Sequence, residues 1–173
     1  MKMEAAVRRP PPRFMRNRSK PQSIHEYSIC MVREPLSRFD SKPVSSSEAF
    51  YRTFKKAFER LDREVFAVVT ADAKNVPIGF NIVAVGSITM TIVHPREVFK
   101  LAVLQNAVRV FLAHNHPSGS VAPSHEDLAL TRRLVEAGEV LGIEVLDHVI
   151  FGLNRYLSLA DENLLQHSEG KKK

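Results

Sequence analysis

Cysteine occurs once in 173 residues, as Cys30. One thiol excludes an internal disulfide framework and any all-cysteine metal site. It also excludes the paired cysteines that hold zinc in nucleobase deaminases. Any metal bound by this chain must therefore be held by His, Asp or Glu. Long apolar runs are missing too: none approaches the roughly 20 residues needed to span a bilayer, so no membrane partner is expected. The N-terminus lacks a secretory core, because Arg8 to Pro12 stand where its apolar stretch would lie. A cytoplasmic protein is the expectation. The glycines are not gathered into a phosphate-cradling loop, and there are no internal repeats.

Basic charge is present but unevenly placed. The formal net charge is +6, yet residues 1–20 hold seven Lys/Arg against the single acid Glu4, and residues 171–173 are all lysine. Between these ends, residues 21–170 carry 15 basic and 18 acidic side chains, a net of −3. The part expected to fold is mildly acidic. The basic ends either hold phosphate through counterion release, which makes DNA a partner to consider, or serve only as solubilising tails.

Along the chain, residues 1–22 are Arg/Pro-rich, include Pro10-Pro11-Pro12, and predict a disordered tail. Residues 23–44 predict an edge strand at Tyr27–Val32 and a connector holding Pro35 and Pro43. Ser45 with Glu48 fits a capping box, and Phe50, Phe54, Ala57, Phe58 and Leu61 recur at helical spacing, predicting a helix over 46–62. Strands are expected over 64–70 and 76–84, joined by a turn at 72–75. Residues 87–93 read as a strand or an extended loop. Pro95 suits a first helical position, with a helix running to about Asn106. A strand over 108–114, a helix from Ser124 to a left-handed cap at Gly142, and strands over 144–151 and 156–159 complete the domain, 45–165. Residues 166–173 form a basic C-terminal tail. The alternation of helices and strands predicts a mixed α/β layer domain.

The most informative stretch is His114-Asn115-His116-Pro117-Ser118-Gly119. Two histidines one residue apart share a face only on extended backbone, and the apolar run Val108 to Ala113 leads into them. Ser124, flanked by Pro123, Glu126 and Asp127, reads as a helix start. A carboxylate in that first turn can swing back to the strand end. His114, His116 and Asp127 then make a three-ligand set with a position left for water, as in catalytic rather than structural zinc sites.

Taken with Val93-His94-Pro95-Arg96-Glu97-Val98-Phe99, Pro123-Ser124-His125-Glu126-Asp127 and Leu146-Asp147-His148-Val149-Ile150-Phe151-Gly152, this stretch closely resembles the RadC family of JAB/MPN-type (JAMM) metalloproteins over about residues 45–160. The resemblance implies a cytidine-deaminase-like three-layer α+β fold, a mixed sheet flanked by helices, and one Zn2+ per chain on His114, His116 and Asp127. It implies that Ser124 steadies an oxyanion and that Glu64 acts as general base in hydrolysis of a peptide or isopeptide bond in a peptide or protein substrate. Asn115 and His148 are candidates for contacts behind the ligands, although His148 also reads as a satisfied strand histidine. His94 and His125 read as capping or surface residues. Glu64 equally suits a solvent-facing strand start.

The letters His-Asn-His do not make an HNH nuclease, whose three residues are spread through a ββα unit that has no second half here. A competing expectation is a DNA-repair-associated nucleic-acid-binding module with a subsidiary metal site. Longer family members carry an N-terminal helix-hairpin-helix segment, which residues 1–44 are too short and Pro-rich to build, leaving the basic ends as the support for that reading. If those ends grip nucleic acid, binding will weaken steeply with added salt and vanish on deletion of residues 1–20. A filter-binding titration at several salt concentrations checks both.

Overall fold

The structure is a computed structural model that describes residues 42–58, 61–86 and 93–165. The expected N-terminal tail, the strand at 27–32, most of the connector, the stretch 87–92 and the C-terminal tail lie outside the described residues. The described elements are α1 (Ser47–Phe58), β1 (Val65–Ala71), β2 (Pro77–Val85), α2 (Pro95–Gln105), β3 (Arg109–Asn115), α3 (His125–Leu141), β4 (Glu144–Phe151) and β5 (Tyr156–Ser158). None of the described helices is long and apolar enough to cross a membrane.

The strands form one mixed sheet in the order β2-β1-β3-β4-β5. β1 runs antiparallel to both β2 and β3, β3 and β4 are parallel, and β5 returns antiparallel to β4. The parallel pair β3/β4 needs a crossover, which α3 supplies, and β3 lies beyond β1 from β2, with α2 between β2 and β3 in sequence. β1 is buried along its whole length and β3 at every residue after Arg109, so their sequences read as nearly unbroken apolar runs rather than alternating ones.

Side-chain alternation divides the core in two. Phe66, Val68, Val110 and Leu112 face α2 and α3, where Val98, Phe99, Ala102, Leu134 and Val135 pack on them. Val65, Ala67, Val69, Phe111 and Ala113 face α1 and meet Phe50, Phe54 and Phe58. The sheet is thus sandwiched between α1 and the pair α2/α3, a mixed α+β three-layer arrangement. The α1 side is aromatic: the rings of Phe58 and Phe151 stack at 4.3 Å and Phe50 meets Phe111 at 5.0 Å. Such pairs add about 0.5–1.5 kcal/mol each beyond area burial.

Two local expectations shift. The hydroxyl capping α1 belongs to Ser46, which accepts from the Ala49 N–H at 3.1 Å; Glu48 pairs with Arg52 one turn on instead of closing a box with Ser45. The described helix runs to Phe58, and Leu61, which is not helical, still packs on the α1-side core. After β5, residues 159–163 form turns.

α3 ends at Gly142, left-handed at φ 68°, whose N–H returns to the Glu139 and Gly138 carbonyls. One turn earlier, Gly138 allows the chain to fold back: a Cβ there would lie 2.4 Å from the Ile143 carbonyl oxygen. Alanine in an exposed helix interior normally gains about 1 kcal/mol over glycine. Here the sign reverses, and Gly138→Ala will destabilise the domain by about 1–3 kcal/mol through overpacking, measurable by urea unfolding.

Candidate metal centre

Strand β3 delivers its polar residues at the end where the parallel pair opens. His114 continues the face of Val110 and Leu112, so it points toward α3, while Asn115 points to the α1 side. The backbone stays extended past the strand, where the His116 N–H bonds the Phe151 carbonyl at 3.0 Å, and His116 returns to the face of His114. The antiparallel register pairs Phe66 with His114; two residues back along β1, that register sets Glu64 beside His116. Helix α3 starts over the same strand end and contributes Asp127.

These four side chains converge: one ligand-type atom from each of Glu64, His114, His116 and Asp127 lies within 4.8 Å of all the others. The two imidazole Nε2 atoms are 2.9 Å apart. Asp127 Oδ1 lies 3.4 Å from His114 Nε2, and its Oδ2 lies 3.5 Å from His116 Nε2. An ion with tetrahedral ligands at about 2.0–2.1 Å needs ligand atoms roughly 3.3 Å apart, which this triangle approaches. Glu64 stands further out, its Oε1 3.7 Å from His116 Nε2 and its side chain 20 % exposed.

The neighbours of the triangle set its chemistry. The Ser120 carbonyl lies 3.2 Å from His116 Nδ1; a carbonyl only accepts, so Nδ1 carries the hydrogen and Nε2 is left to face the cluster. His114 Nδ1 faces His148 Nε2 at 2.8 Å, and His148 Nδ1 lies 2.5 Å from Thr131 Oγ1. Burial, followed by the neighbouring His114, holds the His148 pKa well below the ordinary imidazole value, so this fully buried ring is neutral.

Asp127 has two attachments. Its Oδ2 accepts the Ser124 N–H at 2.7 Å, and its own N–H donates to Ser124 Oγ at 3.1 Å, a reciprocal cap on α3. The Ser124 hydroxyl also donates to Asp127 Oδ2 at 2.7 Å. Ser124 is therefore an N-cap that touches the cluster through Asp127, with its own side chain at the surface.

Asn115 faces away from the cluster and holds the strand that brings Glu64. Its Oδ1 accepts the Val65 N–H at 2.8 Å and its Nδ2 donates to the Arg63 carbonyl at 3.0 Å. One buried amide thus grips the residues on either side of Glu64. The loop after His116 is pinned as well: Arg155 donates to the Gly119 carbonyl through Nε at 3.0 Å and Nη2 at 2.9 Å. Gly152 lets that loop lie close, since a Cβ there would sit 2.6 Å from the Gly119 oxygen. A cleft of about 340 Å³ opens beside His116, walled by Phe58, Leu61, Pro117, Phe151 and Leu153. His94 occupies the N-cap position of α2 without a side-chain cap bond, and His125 opens α3 at the surface; neither belongs to the cluster.

Thr131, Ser120, Arg155 and the grip of Asn115 on β1 were not singled out by sequence reasoning. For Thr131 a signal existed, since it lies one helical turn after Asp127 and so on the same face. Ser120 acts through its backbone, and Arg155 reaches across 36 residues, so neither leaves a local pattern.

Residues 44–164 match the model of a family described as "RadC-like JAB domain". The chain belongs to that family. Among its relatives is a UPF0758 protein of Moorella thermoacetica, 54 % identical over 105 residues, which are 61 % of this chain and 46 % of that protein. A UPF0758 protein of Methanosarcina mazei is 41 % identical over 134 residues, 76 % of this chain and 58 % of the relative. One from Syntrophomonas wolfei is 44 % identical over 130 residues, 75 % and 55 % respectively. The chain spans about half the length of the curated relatives it matches. The RadC-like JAB match contains the whole cluster, Glu64 and Ser124 included.

Charge in the metal-free RadC-like domain is balanced by protons. Hydrogen bonding to Asp127 raises the His116 pKa against the opposing effect of burial, helped by the charges of Asp127 and Glu64. Burial alone would raise Asp127, but the imidazoles of His114 and His116 and the Ser124 hydroxyl beside it hold its carboxyl far below the usual range. A raised histidine stabilises fully below its unfolded pKa of about 6.5, and that contribution disappears as pH rises through the folded value. A depressed aspartate stabilises above about 3.9 and loses this as pH falls toward its folded value. The pair thus contributes most between roughly pH 4 and 6.5. Denaturant unfolding of chelator-treated protein will show stability falling from that window toward alkaline pH, and Asp127→Asn will flatten the fall.

Proposed function

We propose that this chain is a zinc-dependent hydrolase of the JAMM type that cleaves a peptide or isopeptide bond in the cytoplasm. One Zn2+ per chain is held by His114, His116 and Asp127. The observation that carries this reading is the triangle of Nε2, Nε2 and carboxylate oxygens at 2.9–3.5 Å. With His116 Nδ1 donating to the Ser120 carbonyl, that triangle turns two Nε2 atoms and a carboxylate toward one point, where positive charge, a proton or a metal ion, offsets their mutual repulsion. Imidazole with carboxylate suits zinc, and a three-residue set leaves its fourth position open.

A zinc ion held there supplies Lewis acidity and lowers the pKa of a water molecule to roughly 7. The other roles fall to the protein. Glu64, partly exposed and 3.7 Å from His116, takes a proton from the attacking water and returns it to the departing amine, as a general base and then acid. Asn115 keeps Glu64 in place through the bonds on either side of it. Ser124 offers its hydroxyl to the negative oxygen of the substrate carbonyl; to do so it turns that hydrogen away from Asp127 Oδ2, where it rests in this structure. The substrate is a peptide or protein.

Elemental analysis of the purified protein will find about one zinc per chain, and His116→Ala or Asp127→Ala will remove it. Glu64→Gln will keep the metal and lower hydrolysis of a peptide and isopeptide panel by about 10²–10⁴-fold. Full metal retention in both ligand variants would sink the ligand assignment. Unchanged hydrolysis by Glu64→Gln would remove it as base.

A further inference from the structure

The two histidines of the centre are oriented by different means. His116 donates to a backbone carbonyl, an acceptor under all conditions. His114 donates to another imidazole, which accepts at Nε2 only while its own hydrogen sits on Nδ1. Something must therefore settle the hydrogen of His148, and the structure contains it. Thr131 Oγ1 donates to the Asp127 carbonyl one turn back at 2.7 Å. Its single hydrogen is committed there, so the 2.5 Å contact with His148 Nδ1 has to be donated by His148. With that hydrogen on Nδ1, the fully buried ring of His148 presents a bare Nε2, and the 2.8 Å contact with His114 is donated by His114 Nδ1. His114 Nε2 is left bare toward Asp127. Each direction follows from the one before it, starting at a backbone carbonyl.

We infer that His148 and Thr131 form a positioning relay that holds His114 in the Nδ1–H form, keeping its Nε2 available as a metal ligand. The relay closes on itself. It begins at the backbone of Asp127 in α3 and ends at His114 in β3, whose Nε2 faces the Asp127 carboxylate at 3.4 Å. It therefore ties the strand that brings one ligand to the helix that brings another. All three side chains are buried, with His114 and His148 at 0 % exposure and Thr131 at 2 %, so water cannot substitute for a missing partner. His148 adds packing as well, its ring edge-on to Phe66 at 5.5 Å.

This inference rests on the metal reading given above, and its test separates the two. Zinc affinity is measured by competition with a chromophoric chelator, and histidine ring forms by long-range 15N–1H correlation in metal-free protein at roughly pH 8, above the ordinary imidazole range. His148→Phe keeps the ring volume and deletes the relay; zinc affinity will fall about 10–100-fold. His148→Gln, whose amide both accepts and donates, will recover most of it. Thr131→Val will weaken binding and leave His148 a mixture of ring forms, whereas Thr131→Ser, which retains the hydroxyl, will match the parent. In the parent, both His114 and His148 will carry hydrogen on Nδ1. Wild-type affinity in a folded His148→Phe, or His114 with its hydrogen on Nε2 in the parent, overturns the relay. Should His148→Phe fail to fold, the Thr131 pair and the parent spectrum decide alone. If the parent takes up no zinc, the metal reading fails while the ring forms still judge the relay.

Discussion

Strand β3 is buried on both faces, and every polar group it carries must find its partner inside the protein. That constraint organises the rest of the centre. Burial of an unpaired amide or imidazole costs about 1–3 kcal/mol, so each polar residue at the strand end is answered by a specific neighbour. Asn115 is answered by the backbone of 63–65, His114 by His148, and His116 by Ser120 and Asp127. A site assembled this way sits on sheet and helix rather than on a free loop, which keeps its geometry tight. It also lies where ligands of open α/β sheets generally bind, beyond the carboxyl end of a strand next to a crossover.

Much of this was legible in the sequence, for reasons that differ by residue. The His-x-His pair on an apolar run was readable because strand geometry repeats every two residues. Ser124 and Asp127 were readable because a helix start has its own chemistry, and Gly142 because a left-handed cap favours glycine. Other features depend on contacts that no local pattern encodes. Three adjacent serines, 45 to 47, are similar candidate caps in sequence; in the fold Ser46 caps α1 while Ser47 bonds Asp161 across the domain. Leu61 continues the helical spacing yet lies beyond the helix, because periodicity reports burial against a core and not the backbone that achieves it. His148 read as a buried strand residue, which it is, but its partners lie 17 and 34 residues away. The basic ends, the strand at 27–32 and the stretch 87–92 fall outside the described residues.

Electrostatics at the centre shows one demand met in two ways. A carboxylate and two imidazoles brought this close need positive charge among them. Without metal, a proton on His116 answers, which is why its pKa rises while that of Asp127 falls. The divalent ion proposed for the centre would answer the same demand with more charge and leave both rings neutral. Asp147, buried nearby on β4, illustrates a different solution. Burial raises its pKa, while the Ser158 hydroxyl and the N–H groups of Ala160 and His148 satisfy its oxygens, so it serves as a structural tie between β4 and the chain after β5.

The cap on α3 carries a consequence for the life of the protein. Asp127 is fastened to Ser124 through backbone and hydroxyl whether or not an ion is present, and the two cores on either side of the sheet contain no metal-dependent contact among the described residues. In small zinc-dependent modules the ion is part of the folding free energy, and chelation unravels them. For the zinc centre proposed above, the cap on α3 makes architecture and occupancy separate variables. A metal taken up by the proposed centre would load onto a domain already in shape, so metal supply, rather than synthesis or refolding of the chain, would set how much of it is charged.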